Sequence, residues 1–176
     1  MKAQDMMHTN IVTVSPETSL AQAQRLMRDH HIRHLLVMSD RNLVGMVSDC
    51  DLRKASPSQA TTLSQGEVNY QMDTTAIETC MTRHVVVMRP EDHMVDGARR
   101  LLEGTIGCLP VVEHGQPVGI VTEIDLLRGF LAAAAPAGEL MQVNDYMHPE
   151  PYTIMPNDLV SIAYQRMQAA HILTFP

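Results

Sequence analysis

Residues 44–52 read Val-Gly-Met-Val-Ser-Asp-Cys-Asp-Leu, and residues 118–126 read Val-Gly-Ile-Val-Thr-Glu-Ile-Asp-Leu. In each stretch an apolar run containing a glycine ends at a hydroxyl residue, Ser48 or Thr122, and an aspartate follows three positions later. This pattern predicts a strand that passes directly into a helix, with the hydroxyl residue at or beside the N-cap. The same junction therefore occurs twice in the chain.

The two junctions belong to a longer internal repeat. When the chain is shifted by 74 positions, residues 7–54 align with residues 81–128 without a gap, and 13 of the 48 positions are identical. A third copy begins near Met147, but the chain stops at Pro176 before that copy reaches its junction. We expect repeat one at residues 1–56, a linker at 57–74, repeat two at 75–131, a linker at 132–144 and an incomplete third repeat at 145–176.

Each complete copy is predicted to run strand, helix, strand, strand, helix. In copy one we expect a strand at Ile11–Val14, a helix with an apolar face from Leu20 to Met27, paired strands at His34–Met38 and Val44–Val47, and a helix from Asp49 to Lys54. The nearly continuous apolar strands favour a sheet covered on both faces. The region 55–75, rich in Ser, Thr and Gln, is predicted as a surface loop with at most one extra helical turn.

The third copy ends in His171-Ile172-Leu173-Thr174-Phe175-Pro176, whereas copy one reads His31-Ile32-Arg33-His34-Leu35. Loss of one base from a copy-one-like coding sequence gives this ending, which leads to the hypothesis of a frameshift or truncation of a longer protein. The alternative is a natural end that uses the half-copy as a dimerisation arm. In either case a strand and a helix over 158–170 are expected, and residues 145–176 should be poorly ordered or docked on a neighbouring molecule.

The composition narrows the classes of function. The chain has 176 residues, 45% of them apolar, and a formal net charge of −7, which argues against general binding to nucleic acid or anionic membranes. Cys50, Cys80 and Cys108 form no CxxC pair, so neither a disulfide framework nor a zinc site is indicated. No stretch approaches the roughly 20 apolar residues that span a bilayer. A cytoplasmic location is the expectation.

These features together resemble the CBS domain family. The resemblance is carried by Ile32–Val37 and Gly45–Leu52 in copy one and by Ile106–Val112 and Gly119–Leu126 in copy two. The stretches 48–57 and 106–112 are also similar to the acetoin-utilisation subgroup of that family. The resemblance implies a mixed α/β (α+β) fold of two β-α-β-β-α domains related by a pseudo-twofold axis. In the family, clefts between such domains often bind AMP, ADP, ATP, S-adenosylmethionine or dinucleotides.

The junction residues have a chemistry that fits such ligands. Free N–H groups and the dipole at a helix N-terminus attract phosphate, which favours Ser48 and Thr122 as phosphate contacts. A carboxylate one turn on, Asp51 or Asp125, can accept hydrogen bonds from a ribose diol. The alternative is that these four residues only cap exposed helix starts. We expect adenine to lie against Ile11–Thr13 and Leu35 in copy one, and against Val85–Val87 and Leu109 in copy two.

Basic residues distinguish the two copies, because Arg33 and His34 stand where copy two has Gly107 and Cys108. The cleft that receives Arg33 and His34 is therefore predicted to be the better phosphate site. The full set of candidate binding residues is Ile11, Val12, Thr13, Arg33, His34, Leu35, Ser48, Asp51, Val85, Val87, Cys108, Leu109, Pro110, Thr122, Asp125 and Arg128.

Other chemistry is less favoured. His30, His31 and His34 lack a carboxylate or thiol partner at zinc-like spacing, and Cys108 is interpreted as a packing residue. No nucleophile–base motif is visible, so catalysis is not expected. The leading hypothesis is a regulatory module, without a required cofactor, that binds an adenine nucleotide as its regulatory ligand and signals to an unidentified protein. The alternative is a ligand-free oligomerisation module, and a homodimer is expected under both hypotheses.

Overall fold

Copy one folds as a three-stranded sheet covered by helices, in a computed structural model that describes residues 1–57, 62–134, 142–145, 147, 149–170 and 172. Its elements are β1 (Thr13–Val14), α1 (Leu20–Asp29), β2 (His34–Ser39), β3 (Asn42–Ser48) and α2 (Asp49–Ala55). Strand β1 runs parallel to β2, and β2 pairs antiparallel with β3. The first strand is shorter than the sequence predicted, since it begins at Thr13 rather than Ile11.

The linker after copy one contains a helix, α3 (Gln65–Thr74), where the sequence predicted a loop with at most one helical turn. That prediction was wrong because it overlooked a capping box. The Ser64 hydroxyl accepts a hydrogen bond from the Glu67 amide, and the Glu67 carboxylate accepts from the Ser64 amide at 2.8 Å. These bonds satisfy backbone donors of the first turn. Helix α3 then packs against α1.

Copy two repeats the order of elements with a weaker first strand. It contains α4 (Met94–Gly104), β4 (Cys108–Glu113), β5 (Gln116–Thr122) and α5 (Glu123–Ala134). Strands β4 and β5 form an antiparallel pair, and the first strand is reduced to one parallel bridge between Met88 and Val111. The predicted mixed fold of two β-α-β-β-α repeats is thus confirmed, with the first strand of copy two present only as a bridge.

Residues Ala137–Pro176 form a separate unit from Met1–Pro136. Helix α6 (Val160–Ala170) is present close to the predicted bounds. The predicted strand of the third copy is not formed in the described residues 149–159. A strand needs a hydrogen-bonded partner, and this copy lacks the paired strands that serve as partners in the complete copies. The ending that motivated the frameshift hypothesis, apart from Ile172, lies outside the described residues.

Helices long and apolar enough to cross a bilayer are absent from the part of the chain that the structure describes.

Each complete copy has a leading segment, residues 1–12 and 75–86, and the first eight residues of each pack on the opposite copy, an arrangement we call the exchange. His8 pairs with Ile120 of β5 through two backbone hydrogen bonds of 2.9 and 3.0 Å. Thr82 pairs with Met46 of β3 in the same way, at 2.8 and 3.0 Å. Each leading segment therefore extends the sheet of the opposite copy. The exchange makes the two copies a single packed unit instead of two domains joined by a linker.

Two methionines of the leading segments, Met7 and Met81, pack directly on glycines of the opposite copy. A Cβ atom on Gly119 would lie 2.5 Å from the Met7 sulphur, and one on Gly45 would lie 2.7 Å from the Met81 sulphur. The absence of a side chain at both glycines permits a close backbone approach. The approaching group is the leading segment of the other copy, including the carbonyl oxygens of His8 and Thr82 at 3.0 and 3.1 Å from those Cβ positions.

The hydrophobic cores reflect the same exchange. The copy-one core of Leu20, Leu35, Val47 and Leu52 also contains Ile77 and Met81, which precede copy two in sequence. The copy-two core around Leu101, Leu109 and Val121 contains Ala3 and is packed by Met6 and Met7. Each core is completed by residues that belong to the other copy.

Replacement of Gly119 tests this packing. We expect Gly119→Ala to lower the free energy of unfolding by about 1–3 kcal/mol, because the added methyl group overpacks the contact with Met7 and the His8 carbonyl. Gly66→Ala is the matched control, since its nearest neighbour would be 3.9 Å away inside α3, and it should be neutral or stabilising by up to about 1 kcal/mol. Urea denaturation measures both variants. Equal stability of Gly119→Ala and the unchanged protein would contradict the packing account.

Candidate functional site

A cleft of about 610 Å³ lies between the two copies, and we call it the first cleft. One wall is the leading segment of copy one together with the start of β2. The other wall is the end of β5 and the first turns of α5. Its lining residues are Met7, His8, Thr9, Asn10, Ile11, Val12, His31, Ile32, Arg33, His34, Leu36, Gly107, Ile120, Thr122, Glu123, Ile124, Asp125 and Arg128.

The strand–helix junction of copy two forms the polar end of the first cleft. Asp125 lies one turn into α5 and folds back on Thr122, so that its Oδ2 accepts from the Thr122 amide at 2.9 Å and from the Thr122 hydroxyl at 2.7 Å. These bonds fix the carboxylate on the first turn of the helix. The Thr122 side chain faces the cleft at the start of a twelve-residue helix, where a phosphate is favoured.

The second oxygen of Asp125 connects the two copies. Its Oδ1 lies 2.9 Å from His8 Nε2 on the exchanged segment and 3.6 Å from Arg128 Nη1, one turn further along α5. The Asp125 side chain is only 3% exposed. The alternative of an exposed helix start, which the sequence left open for this residue, is wrong for Asp125 because its carboxylate is buried. A buried carboxylate with three partner residues is costly to leave unpaired.

Several basic side chains line the first cleft: His8, His31, Arg33, His34 and Arg128. The acidic lining residues are Glu123 and Asp125, and Asp125 is already paired. With the histidines neutral, Arg33 and Arg128 balance Glu123 and Asp125, so the lining as a whole is close to neutral. Arg33 has no ion-pair partner among the described residues and is the cation available to an anionic ligand. Burial is the main cause that lowers the pKa of His34, and the neighbouring Arg33 lowers it further.

The pseudo-twofold axis predicts a second cleft at the copy-one junction. There Ser48 caps α2, and Asp51 Oδ2 accepts from the Ser48 amide at 2.9 Å and from its hydroxyl at 2.6 Å. The equivalents of His8, Arg33 and His34 are Thr82, Gly107 and Cys108. The two junctions are thus alike in helix capping and differ in the basic residues opposite them.

The structure brings seven candidate residues from both copies into the first cleft. They are Ile11, Val12, Arg33 and His34 from copy one and Thr122, Asp125 and Arg128 from copy two. The sequence grouped apolar strand residues with the junction of the same copy. The exchange instead places Ile11 and Val12 opposite Asp125. Arg33 and His34 likewise line the cleft at the junction of copy two, and Ser48 and Asp51 lie at the copy-one junction, outside the lining of the first cleft.

Other candidates lie away from the surface of the first cleft. Leu35, Cys108, Leu109 and Pro110 are buried, and Leu35 and Leu109 belong to the two hydrophobic cores. Thr13 pairs with Leu36 inside the copy-one sheet. Val85 and Val87 belong to copy two, outside the lining of the first cleft. These residues were selected from their strands, but alternate residues of a strand point to opposite faces, and the sequence did not show which face meets the cleft.

Cys108 fits the packing role that the sequence assigned to it. Its Sγ lies 3.4 Å from the Met46 sulphur at the contact between the copies. Burial raises the pKa of the Cys108 thiol to about 12, so the thiolate that nucleophilic chemistry requires is disfavoured.

His8 is the main site residue that sequence reasoning missed. It precedes the first strand and carries no local motif. The usable signal was the alignment of Met7 with Met81, because both methionines lie in the segments that pack on the opposite copy. Gly107 was also missed as a lining residue, and a Cβ there would lie 3.5 Å from the His34 ring.

A tandem repeat of β-α-β-β-α units whose strand–helix junction lies at a cleft between the copies defines the structural class of this chain. The CBS domain profile matches residues 3–58 and 76–132. The chain belongs to the CBS domain family, and the resemblance found in the sequence is confirmed.

Similar proteins include longer proteins, which the chain covers only in part, and solved structures of about its own length. A homoserine O-acetyltransferase of Methanohalobium evestigatum is 32% identical over 126 residues, which are 70% of this chain and 23% of that protein. The chain spans only 21 to 31% of the length of three curated relatives, which are two homoserine O-acetyltransferases and an uncharacterised protein of Methanocaldococcus jannaschii. A putative acetoin utilization protein (AcuB) from Vibrio cholerae is 27% identical with a TM-score of 0.62, covering 79% of this chain and 98% of that one.

Two solved structures of similar chains contain ligands. CBSX2 of Arabidopsis thaliana, solved in complex with AMP, is 30% identical with a TM-score of 0.63, covering 74% of this chain and 97% of that one. The CBS domain pair of protein MJ0100, in complex with 5-methylthioadenosine and S-adenosyl-L-methionine, is 25% identical with a TM-score of 0.62, covering 74% and 99%.

The lowered pKa of His34 predicts a pH dependence of stability. The unfolded chain takes up a proton at this residue at higher pH than the folded chain does, so the stability that neutral His34 contributes above its ordinary pKa is lost as the pH falls. We expect His34→Asn to reduce the decrease in melting temperature between about pH 7.5 and about pH 5.5. The control is His114→Asn in the exposed β4–β5 turn. An identical decrease in His34→Asn and the unchanged protein would contradict the prediction.

Proposed function

We propose that the chain is a regulatory module that binds an adenosine nucleotide in the first cleft and performs no catalysis itself. One observation carries this proposal: both copies build a single cleft that contains three features a nucleotide can use. They are the N-terminus of α5, which can bind phosphate, the buried carboxylate of Asp125, and the apolar segment Ile11–Val12. We place the adenine against Ile11, Val12 and Ile32, the ribose at Asp125, and the phosphate near Thr122 and Arg128.

Arg33 and Arg128 in the first cleft favour a phosphate-bearing ligand. S-adenosylmethionine carries a sulfonium cation, which the neighbouring Arg33 and Arg128 would repel, whereas AMP, ADP and ATP bring negative charge to the same residues. The AMP complex of CBSX2 supports an adenine nucleotide at a similar fold. We therefore rank AMP, ADP and ATP ahead of S-adenosylmethionine for this chain.

The regulatory output follows from where the ligand sits. A nucleotide that touches both copies favours the relative arrangement in which both walls of the first cleft reach it, and a partner protein that binds one arrangement better would detect the ligand. Relatives such as the homoserine O-acetyltransferase are much longer than this chain, which supports a role as the regulatory part of a larger system. The regulated protein is not identified by the cleft.

Asp125 and Asp51 provide a matched pair of variants. Asp125→Ala should weaken AMP binding by about 1.5–3 kcal/mol, the scale of hydrogen bonds to a charged group, which is about 10- to 150-fold in Kd. Asp51→Ala removes the equivalent carboxylate of the second cleft and should leave this Kd unchanged. Isothermal titration calorimetry with AMP, ADP, ATP and S-adenosylmethionine measures both variants.

Asp125→Ala also loses its bonds to Thr122 and His8, so its fold needs an independent check by circular dichroism. Asp125→Asn, which keeps the side-chain volume, is the second variant. Wild-type affinity in the folded Asp125 variants would contradict the ribose role, and no binding of any of the four compounds to the unchanged protein would favour the ligand-free oligomerisation module.

We further propose that the chain is a homodimer joined through α5. Leu127, Phe130 and Leu131 are each more than half exposed on this helix, and they form an apolar surface near its end. The equivalent positions of copy one begin with a charged residue, Arg53, so the apolar surface is specific to copy two. A twofold axis brings the same surface of a second chain against it.

Phe130→Asp should convert the dimer to a monomer at tens of micromolar, because a buried, unpaired carboxylate at the interface is strongly unfavourable. Tyr70→Asp on the exposed face of α3 is the control and should leave the dimer intact. Static light scattering measures both. A monomeric unchanged protein, or a Phe130→Asp variant that remains dimeric, would contradict this interface.

A further inference from the structure

Hydrogen bonds use three of the acceptor positions of Asp125 before any ligand binds. Oδ2 accepts two hydrogen bonds from Thr122, and Oδ1 has His8 at 2.9 Å and Arg128 at 3.6 Å. An ionised carboxylate offers about four lone-pair positions. One position on Oδ1 is left, whereas a ribose diol donates two hydrogen bonds, so binding through both hydroxyls displaces at least one donor already present.

His8 is the donor that leaves most readily from Oδ1. The Thr122 amide is fixed by the helix start, and Arg128 makes only a long contact. The His8 side chain is 54% exposed, so it has room to rotate off Asp125. The backbone of His8 stays paired with Ile120 through two hydrogen bonds during such a rotation. Displacement of the imidazole thus needs no rearrangement of the sheet.

The second cleft shows that this contact is not a general feature of the repeat. Thr82 occupies the position of His8 and makes the same two backbone bonds, to Met46. Among the described residues, no donor bonds to Asp51 Oδ1, although Asp51 Oδ2 makes both bonds to Ser48. The Ser48–Asp51 pair of copy one therefore caps its helix as Thr122–Asp125 does, but no side chain hydrogen-bonds to its Oδ1 among the described residues. The imidazole on Asp125 is an addition that only the first cleft carries.

We propose that His8 competes internally for the ribose position on Asp125 and makes the first cleft selective for nucleoside phosphates over free nucleosides. This inference rests on the proposed function. A ligand of either kind must break the His8–Asp125 contact to bind. The released imidazole stays beside Arg128 at the polar end of the cleft, where its Nε2–H can donate to a phosphate oxygen. A free nucleoside offers it no such acceptor.

The selectivity follows from the population of the open state. When only a fraction of the molecules has Asp125 free, the apparent Kd of every ligand is raised by the inverse of that fraction. AMP recovers part of this loss through the new contact of His8 with its phosphate, and adenosine does not. Removal of the imidazole therefore helps adenosine and removes a favourable contact from AMP.

Calorimetric titration of adenosine and AMP into the unchanged protein, His8→Ala and Thr82→Ala tests the proposal. His8→Ala should bind adenosine about three to ten times more tightly, because every molecule then has Asp125 Oδ1 accessible to the ribose. The ratio of AMP to adenosine affinity should fall by a larger factor. Thr82→Ala should match the unchanged protein for both ligands. His8→Gln, which keeps an amide donor near the Nε2 position, should restore the original preference.

The titrations distinguish a failure of the His8 competition from a failure of nucleotide binding itself. If AMP and adenosine bind His8→Ala with the affinities of the unchanged protein, the competition is absent while the nucleotide site stands. Tighter adenosine binding in Thr82→Ala to the same degree would likewise overturn a role specific to His8. If neither compound binds the unchanged protein or His8→Ala, the proposed function itself fails and the competition fails with it.

Discussion

The packing of Met7 on Gly119 and of Met81 on Gly45 is the constraint on which the rest of the structure depends. Each contact holds a leading segment in the sheet of the opposite copy, and each requires a residue without a side chain at the strand. Because the exchange is reciprocal, neither copy completes its core alone. A pair of small repeats thereby buries more apolar surface than two separate domains of the same length.

The exchange also decides which residues share a site. It brings His8, Ile11 and Val12 of copy one to the junction of copy two, where Thr122 and Asp125 lie. A near-symmetric scaffold then carries two junctions whose surroundings differ. Arg33 and His34 of copy one correspond to Gly107 and Cys108 of copy two, so these basic side chains line the cleft at the copy-two junction. Duplication supplies the geometry, and divergence at a few positions supplies the charge.

Much of the fold was predictable from the sequence because the repeat has strong local signals. Strand–helix junctions, hairpin turns and apolar strands recur with a constant shift, so one copy supports the interpretation of the other. Helix α3 was missed although Ser64 and Glu67 have the spacing of a capping box. The strand expected in the third copy failed for a different reason, since its sequence resembles Ile11–Val14 but its pairing partners are missing.

The site was predictable only in part. Asp125, Thr122 and Arg128 carry a local pattern, and the excess of basic residues in copy one was visible at Arg33. The sequence did not show that these groups meet, because the exchange is a long-range event: His8 and Asp125 are separated by 117 residues along the chain. The burial of Asp125 could not be predicted for the same reason, because His8, which contacts its carboxylate, belongs to the other copy. The local function of single residues could therefore be predicted from the sequence, whereas the contacts between residues of different copies could not.

The central claim is that one nucleotide cleft is built jointly by the leading segment of copy one and the junction of copy two. A crystal structure of the chain grown with AMP tests it most directly. The account predicts nucleotide density in the first cleft, with the ribose at Asp125 and the adenine against Ile11 and Val12. Nucleotide density at Ser48 and Asp51 with the first cleft empty, under conditions where AMP is bound in solution, would contradict it.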